Sequence, residues 1–207
     1  MTSTRTKLVL ASGAALLLVV VATAAYAFDL PPFEKKATVT ASAVCETLGD
    51  RAKAAAALNH ALPAEPSYAF DDAKTHLRTD ASDDTYETSC FVNGGGTQLM
   101  SVTAEMAEYE NSGTWVEETV GQLVSTSDLA SFNAGDKAVA SDSAAAIYVP
   151  CVSKGATRHL SVVVNLKKPG DAKGEQSRRD LMTLARSAAA YAHEKAKCEA
   201  PSKVSAG

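Results

Sequence analysis

The chain has 207 residues, with 20 Lys plus Arg against 24 Asp plus Glu, and its net charge of -4 is too mild to serve a polyelectrolyte partner, which argues against nucleic acid. Hydrophobic residues make up 46% and charged ones 21%, beside 12 Gly and 7 Pro, so the composition is globular rather than disordered or fibrous. No nucleophile-elbow, SxxK, phosphate-loop or HExxH pattern occurs, and the enzyme classes built on them lose their usual support.

Residues 1–7 form a short tail carrying Arg5 and Lys7, expected to be cytoplasmic. Residues 8–28 contain no charge and, at about 1.5 Å per residue, reach roughly 30 Å, the thickness of a bilayer core. This predicts one N-terminal membrane helix. The apolar run is longer than the ~7 to 15 residues of a signal-peptide core, which favours a retained signal anchor. Ala25, Tyr26 and Ala27 give the small-residue spacing of a cleavage site, so secretion after cleavage behind Ala27 is the alternative. Cys45, Cys90, Cys151 and Cys198 all follow this segment, and an even set downstream of an export signal predicts two disulfides in an oxidising compartment. The expected placement is the cell membrane, single-pass, with the C-terminal domain extracytoplasmic.

Residues 29–41 hold Pro31 and Pro32 and lack periodicity, which predicts an extended spacer. The disulfide-bonded domain is expected over residues 42–199. Residues 42–62 start on a capping serine and place Val44, Leu48, Ala52, Ala55, Leu58 and Leu62 at helical spacing before Pro63, predicting one long helix. Residues 64–84 are polar and acidic and read as irregular. Residues 85–93 alternate as a strand, Gly94, Gly95 and Gly96 make a turn, and the return strand sets Met100, Val102 and Ala104 on one face. Thr114 with Glu117 resembles a capping box for a short helix running through Val116, Val120, Leu123 and Val124.

Residues 136–141 and 144–152 read as strands, and Pro150 confines the second to an edge or to its own end. Residues 157–166 give the clearest strand, with Leu160, Val162, Val164 and Leu166 on one face. A second long helix is predicted to be capped near Ser177, with a stripe of Leu181, Leu184, Ala185, Ala188 and Ala192. Residues 200–207 are expected to be a disordered tail.

Cys90 and Cys151 each precede a glycine-containing turn and an apolar return strand, so one cysteine hairpin occurs twice, each thiol on the face that the helices cover. A helix antiparallel to the next strand brings Cys45 near Cys90, and the end of the last helix brings Cys198 near Cys151. The same geometry puts all four cysteines at one end, so the pairing of Cys45 with Cys198 and Cys90 with Cys151 stays open beside the preferred sequential one.

His60, His76, His159 and His193 are scattered without ligand spacing, and His159, opposite Leu160 and Val162, reads as part of a solvated strand face. Asp80, Ser82, Asp84 and Glu87 offer oxygen ligands but lack the glycine of a calcium loop. Glu105, Glu108, Glu110, Glu117 and Glu118 surround Trp115, and a carboxylate pair beside an aromatic is the raw material of a glycan hydrolase. No metal and no cofactor is expected.

The order of parts is a basic tail, an anchor, a proline spacer, a cysteine-bearing helix, Cys90-Phe91 and Pro150-Cys151 strands, and a last helix ending in cysteine. This layout resembles the actinobacterial membrane-anchored or secreted extracytoplasmic domains of unknown function, some of which are lipoproteins, although the lipobox cysteine of those members is missing here. The expected fold is α+β, an antiparallel sheet of about five strands covered on one face by two long helices. The expected role is a non-enzymatic envelope module that binds a protein or a small ligand, with Thr103, Glu105, Ser161, Val163 and Asn165 on the uncovered face of the sheet as the candidate binding residues. The alternatives are an envelope hydrolase using the acidic stretch and a structural or sensory ectodomain.

Overall fold

The computed structural model describes residue 23 and residues 36–204 apart from 81, 154 and 155. The tail at 1–7, the membrane run at 8–28 save residue 23, the first part of the spacer and residues 205–207 lie outside the described residues. No helix among the described residues is long and apolar enough to cross a membrane.

The architecture is α+β. Strands β1 (Ala69–His76), β2 (Glu87–Gly94), β3 (Thr97–Glu108), β4 (Ala130–Ser131), β5 (Lys137–Ala140), β6 (Ala144–Ser153) and β7 (Ala156–Leu166) form a 7-stranded antiparallel sheet in the order β1-β2-β3-β7-β6-β5-β4. Helices α1 (Arg51–Ala61) and α3 (Glu175–Lys195) cover one face, and the short α2 (Ser112–Glu118) lies on the other. The strand count exceeds the expected five by β1 and β4. β1 is an edge strand whose Asp71, Asp72, Lys74 and Thr75 are all exposed, so no apolar alternation betrays it.

Alternation fixes the helix-facing side of the sheet. Cys90 and Val92 on β2, Val102 on β3, Leu160, Val162 and Val164 on β7, and Ile147 and Val149 on β6 pack into one core with the alanine-rich seam of α1 and α3. The β2–β3 hairpin turns through Gly95 and Gly96, both left-handed at φ 55° and 74°, as a tight turn between right-twisted strands requires. Pro150 lies past Tyr148, where pairing of β6 with β5 stops, so its missing donor falls near the strand's end.

The first predicted helix is in fact two pieces. A 3-10 turn at Glu46–Leu48 ends at Gly49, whose φ of 71° breaks the spiral, and Asp50 starts α1 anew by accepting a hydrogen bond from the Lys53 amide at 3.1 Å. At the other end of α1, Lys36 donates to the carbonyls of Asn59 and Leu62 at 2.7 and 2.9 Å, satisfying groups the helix leaves open. Val39 is buried and pairs through its amide with the Asn59 side chain, so the spacer ends before residue 41 and the chain joins the domain at Lys36. Helix α3 begins at Glu175 behind Gly174 rather than at Ser177, whose hydroxyl lies inside the helix and donates to the Asp142 carbonyl at 2.6 Å. Asn111, not Thr114, caps α2.

Disulfides join Cys45 to Cys90 and Cys151 to Cys198, the sequential pairing. The four cysteines do not share one end. Cys90 reaches the level of Val164 through Val102, whereas Cys151 sits opposite Arg158, six residues further along β7, or about 20 Å. Of the tail expected at 200–207, the described residues Lys203 and Val204 are held against the domain. The Lys203 carbonyl accepts from the Gly135 amide at 3.1 Å, its ammonium pairs with Asp136 at 2.6 Å, and Val204 packs against the core.

The outer face of the sheet is the second departure, because a crossover covers half of it. After β3 the chain runs from Tyr109 to Leu129 over β7, β6 and β5 before entering β4 at the far edge. Trp115, Val120, Val139, Ala146, Tyr148 and Val163 form a separate apolar cluster beneath this strap.

Candidate functional site

The residues expected on an open sheet face do share that face. Thr103 is the cross-strand partner of Val163, Glu105 that of Ser161, and Asn165 pairs with Ser101. They do not form one accessible surface. Glu105 is exposed and Thr103 and Asn165 are half-buried, but Ser161 and Val163 are buried under the strap, where the Trp115 indole donates to the Ser161 hydroxyl at 2.9 Å. His159, read as solvated, is 0% exposed; its ring stacks on Tyr148 at 4.0 Å between centroids, and burial pushes its pKa down to about 4.

The acidic residues around Trp115 are dispersed among separate tasks. Glu105 faces Glu87 across β2 and β3, Glu108 pairs with Arg158 at 3.2 Å, and the Glu110 carbonyl accepts from the Tyr148 hydroxyl at 2.9 Å. In the loop before β2 the carboxylates serve as turn acceptors. Asp80 takes the Ser82 amide and hydroxyl, and Asp83 takes Thr79 and Thr85, whose hydrogen bonds hold its carboxyl well below the usual range. No group of three or more metal-ligating side chains is assembled among the described residues.

A concavity with both apolar and charged lining lies on the helical side. A cavity of about 420 Å³ opens where the start of α1 meets the middle of α3, with Val204 of the C-terminal segment at its border. Gly49 and Ser187 form its base, and close packing explains both. The Ser187 hydroxyl donates to the Leu48 carbonyl at 2.5 Å and accepts from the Asp50 amide at 2.8 Å, pinning the chain break between the two helical pieces to α3. With both roles taken, that hydroxyl serves as a structural tie rather than a nucleophile.

Ala190, Val204 and the ring of Tyr191 supply apolar surface, while Lys53 and Arg186 bring positive charge and Asp50 and Glu194 negative charge. The Arg186 guanidinium lies 4.9 Å above the Phe132 ring, and its buried Nε finds no hydrogen-bond partner among the described residues. The Tyr191 hydroxyl donates to Glu46 at 3.2 Å, and Lys74 pairs with the other oxygen of that carboxylate at 2.7 Å. These contacts hold Glu46 below its ordinary pKa, Lys74 first and Tyr191 second, and they fix the tyrosine at the cavity wall. A second concavity of about 440 Å³ lies at the far end of the α1–α3 seam, lined by Lys36, Asn59, His60, Asp171 and Gln176.

Such a lining can enclose a small molecule with an apolar body and polar ends. Nothing in the sequence pointed to it, because its walls come from segments far apart in the chain that meet only through packing. Compared with known proteins, the chain matches no family model, no curated protein and no solved structure.

Proposed function

We propose that this chain is a non-enzymatic binding module of the cell envelope, held by its N-terminal apolar segment and receiving a small amphiphilic ligand in the cavity between α1 and α3. The cavity carries this reading: its volume falls within the range of small-molecule sites, and it combines apolar walls with a few charged groups at defined positions. Two disulfides are in keeping with an oxidising extracytoplasmic compartment and with a site whose walls stay in place.

The test is native mass spectrometry of the protein after incubation with a small-molecule extract of its host's envelope. An additional bound mass on the wild type, lost in Ala190→Trp, is the expected result, since Ala190 is an exposed position on the cavity wall and indole would fill the space. Equal masses for both proteins would refute the cavity as the site.

A further inference from the structure

The cavity between α1 and α3 is electrically uneven once the partners of its lining are followed. Both of its carboxylates are engaged: Asp50 accepts from the Lys53 amide at 3.1 Å at the head of α1, and Glu194 takes the Lys195 ammonium at 3.0 Å. Arg186 differs. It forms no ion pair among the described residues. Its hydrogen bond to the Asn133 carbonyl is 3.5 Å long, at the outer limit, and its guanidinium otherwise faces the Phe132 ring. Thr183, Arg186, Ser187, Ala190, Tyr191 and Glu194 follow helical spacing, so the cavity runs along α3 for about 16 Å, with Arg186 toward one end and Glu194 at the other.

We infer that the ligand of this cavity is a carboxylate-headed amphiphile lying along α3, with its head on Arg186 and its alkyl chain against Ala190, Tyr191 and Val204; the inference rests on the cavity being the binding site. A guanidinium is planar and always charged, and it takes a carboxylate through two parallel hydrogen bonds. Around Arg186 the protein supplies a neutral carbonyl and a ring but no counter-charge, and an anionic head supplies it. A cationic head would instead meet the charges of Arg186 and Lys53. Glu194 does not oppose the anion, because it lies about 12 Å along α3 from Arg186 and is paired with Lys195. The same polarity fixes the direction of the ligand, since the reversed molecule would set two carboxylates side by side.

Octanoate, octanol and octylamine share one chain and differ in the head. Equilibrium dialysis of the full chain in nanodiscs against each labelled compound at neutral pH reads the preference, with Ala190→Trp in the same nanodiscs as the blank for uptake outside the cavity. The wild type is expected to hold octanoate about tenfold more tightly than the alcohol or the amine, the discrimination that a charge-assisted hydrogen bond gives. Arg186→Gln should bring octanoate down to the level of octanol, and Arg186→Lys should keep part of the difference. The head comparison on the wild type stands without either Arg186 variant. Equal retention of all three compounds, lost in Ala190→Trp, would overturn the head assignment and leave the cavity as the site, as would a preference for the amine or octanoate binding unchanged in Arg186→Gln. Octanoate uptake no greater than the blank would also overturn it, and the envelope-extract experiment would then decide the cavity reading by itself.

Discussion

Gly49 and Ser187 approach so closely that a β-carbon on the glycine would lie 2.5 Å from the serine carbonyl oxygen. Gly49 also has a φ of 71°, in the left-handed region that L side chains disfavour. Gly49→Ala should therefore cost about 2 kcal/mol or more and disturb the cavity base, because backbone rather than a flexible side chain must yield. Urea unfolding with the disulfides intact measures the loss, and Ala56→Gly, at an exposed position of α1, provides a contrast of about 1 kcal/mol through helix propensity.

Arg78 is buried, and it donates through Nε to the carbonyls of Asp80 and Asp83 and through Nη1 to that of Ala196 beyond α3. The side chain ties the acidic loop to the end of the last helix, where carbonyls lack intrahelical donors. Removing it leaves those acceptors without this donor, so Arg78→Ala should destabilise by about 2 to 4 kcal/mol, seen as a lower urea midpoint. Arg78→Lys should recover little of this, since one ammonium cannot reproduce a guanidinium fork that reaches both the loop and the helix.

Glu87 and Glu105 stand directly opposite each other on β2 and β3, both exposed, a like-charged cross-strand pair. Glu87→Lys replaces repulsion by attraction and should stabilise by about 0.2 to 1 kcal/mol. The gain should shrink in high salt, which screens exposed charges, and thermal unfolding at two ionic strengths reads both effects.

Where one side chain out of two must be apolar, the sequence announces the element. Leu160, Val162, Val164 and Leu166 reveal β7, and the stripe from Leu181 to Ala192 reveals α3. β1 gives no such signal because an edge strand with charges toward water on both sides has no pattern to show. The strap is missed: Val163 reads on an open face, although Val162, Val163 and Val164 run together and a strand apolar on both faces is one covered on both faces, a signal of the cover that Trp115 supplies. What covers it could not be read, since the Trp115–Ser161 hydrogen bond joins residues 46 apart in sequence. The cavity left no trace at all, because no single element contains its lining.

The two cystines differ in what they clamp. Cys45–Cys90 holds the 3-10 turn to β2, and Cys151–Cys198 holds the end of β6 to the end of α3, with sequence separations of 45 and 47. For loops of that size the chain-entropy account gives about 4 kcal/mol each, so either Cys→Ser pair should lower stability by a similar amount. The local consequences separate them. Losing Cys151–Cys198 should raise hydrogen exchange at the C-terminal end of α3 and in residues 199–204, whereas losing Cys45–Cys90 should loosen the turn that carries Gly49 and weaken occupancy of the cavity.

Stability should also depend on pH in two separable windows. His159 has a depressed pKa in the folded chain, so the unfolded chain binds more protons between about 6.5 and 4, and unfolding free energy must fall as pH drops through that interval. The full swing is on the order of 3 kcal/mol for a ring with no exposure, and His159→Phe should remove it while leaving the neutral-pH structure intact. Glu46 and Asp83 also have lowered pKa values, held down by Lys74 and by Thr85 respectively. Their contribution is present above the unfolded values of 4.5 and 3.8 and is lost only as pH falls below them. Urea titrations across this range should therefore give His159→Phe a flat stability profile from pH 7 to about 5 and a decline below that, whereas the wild type declines throughout; a wild-type profile flat to pH 5 would mean that His159 exchanges protons with water as an exposed imidazole does.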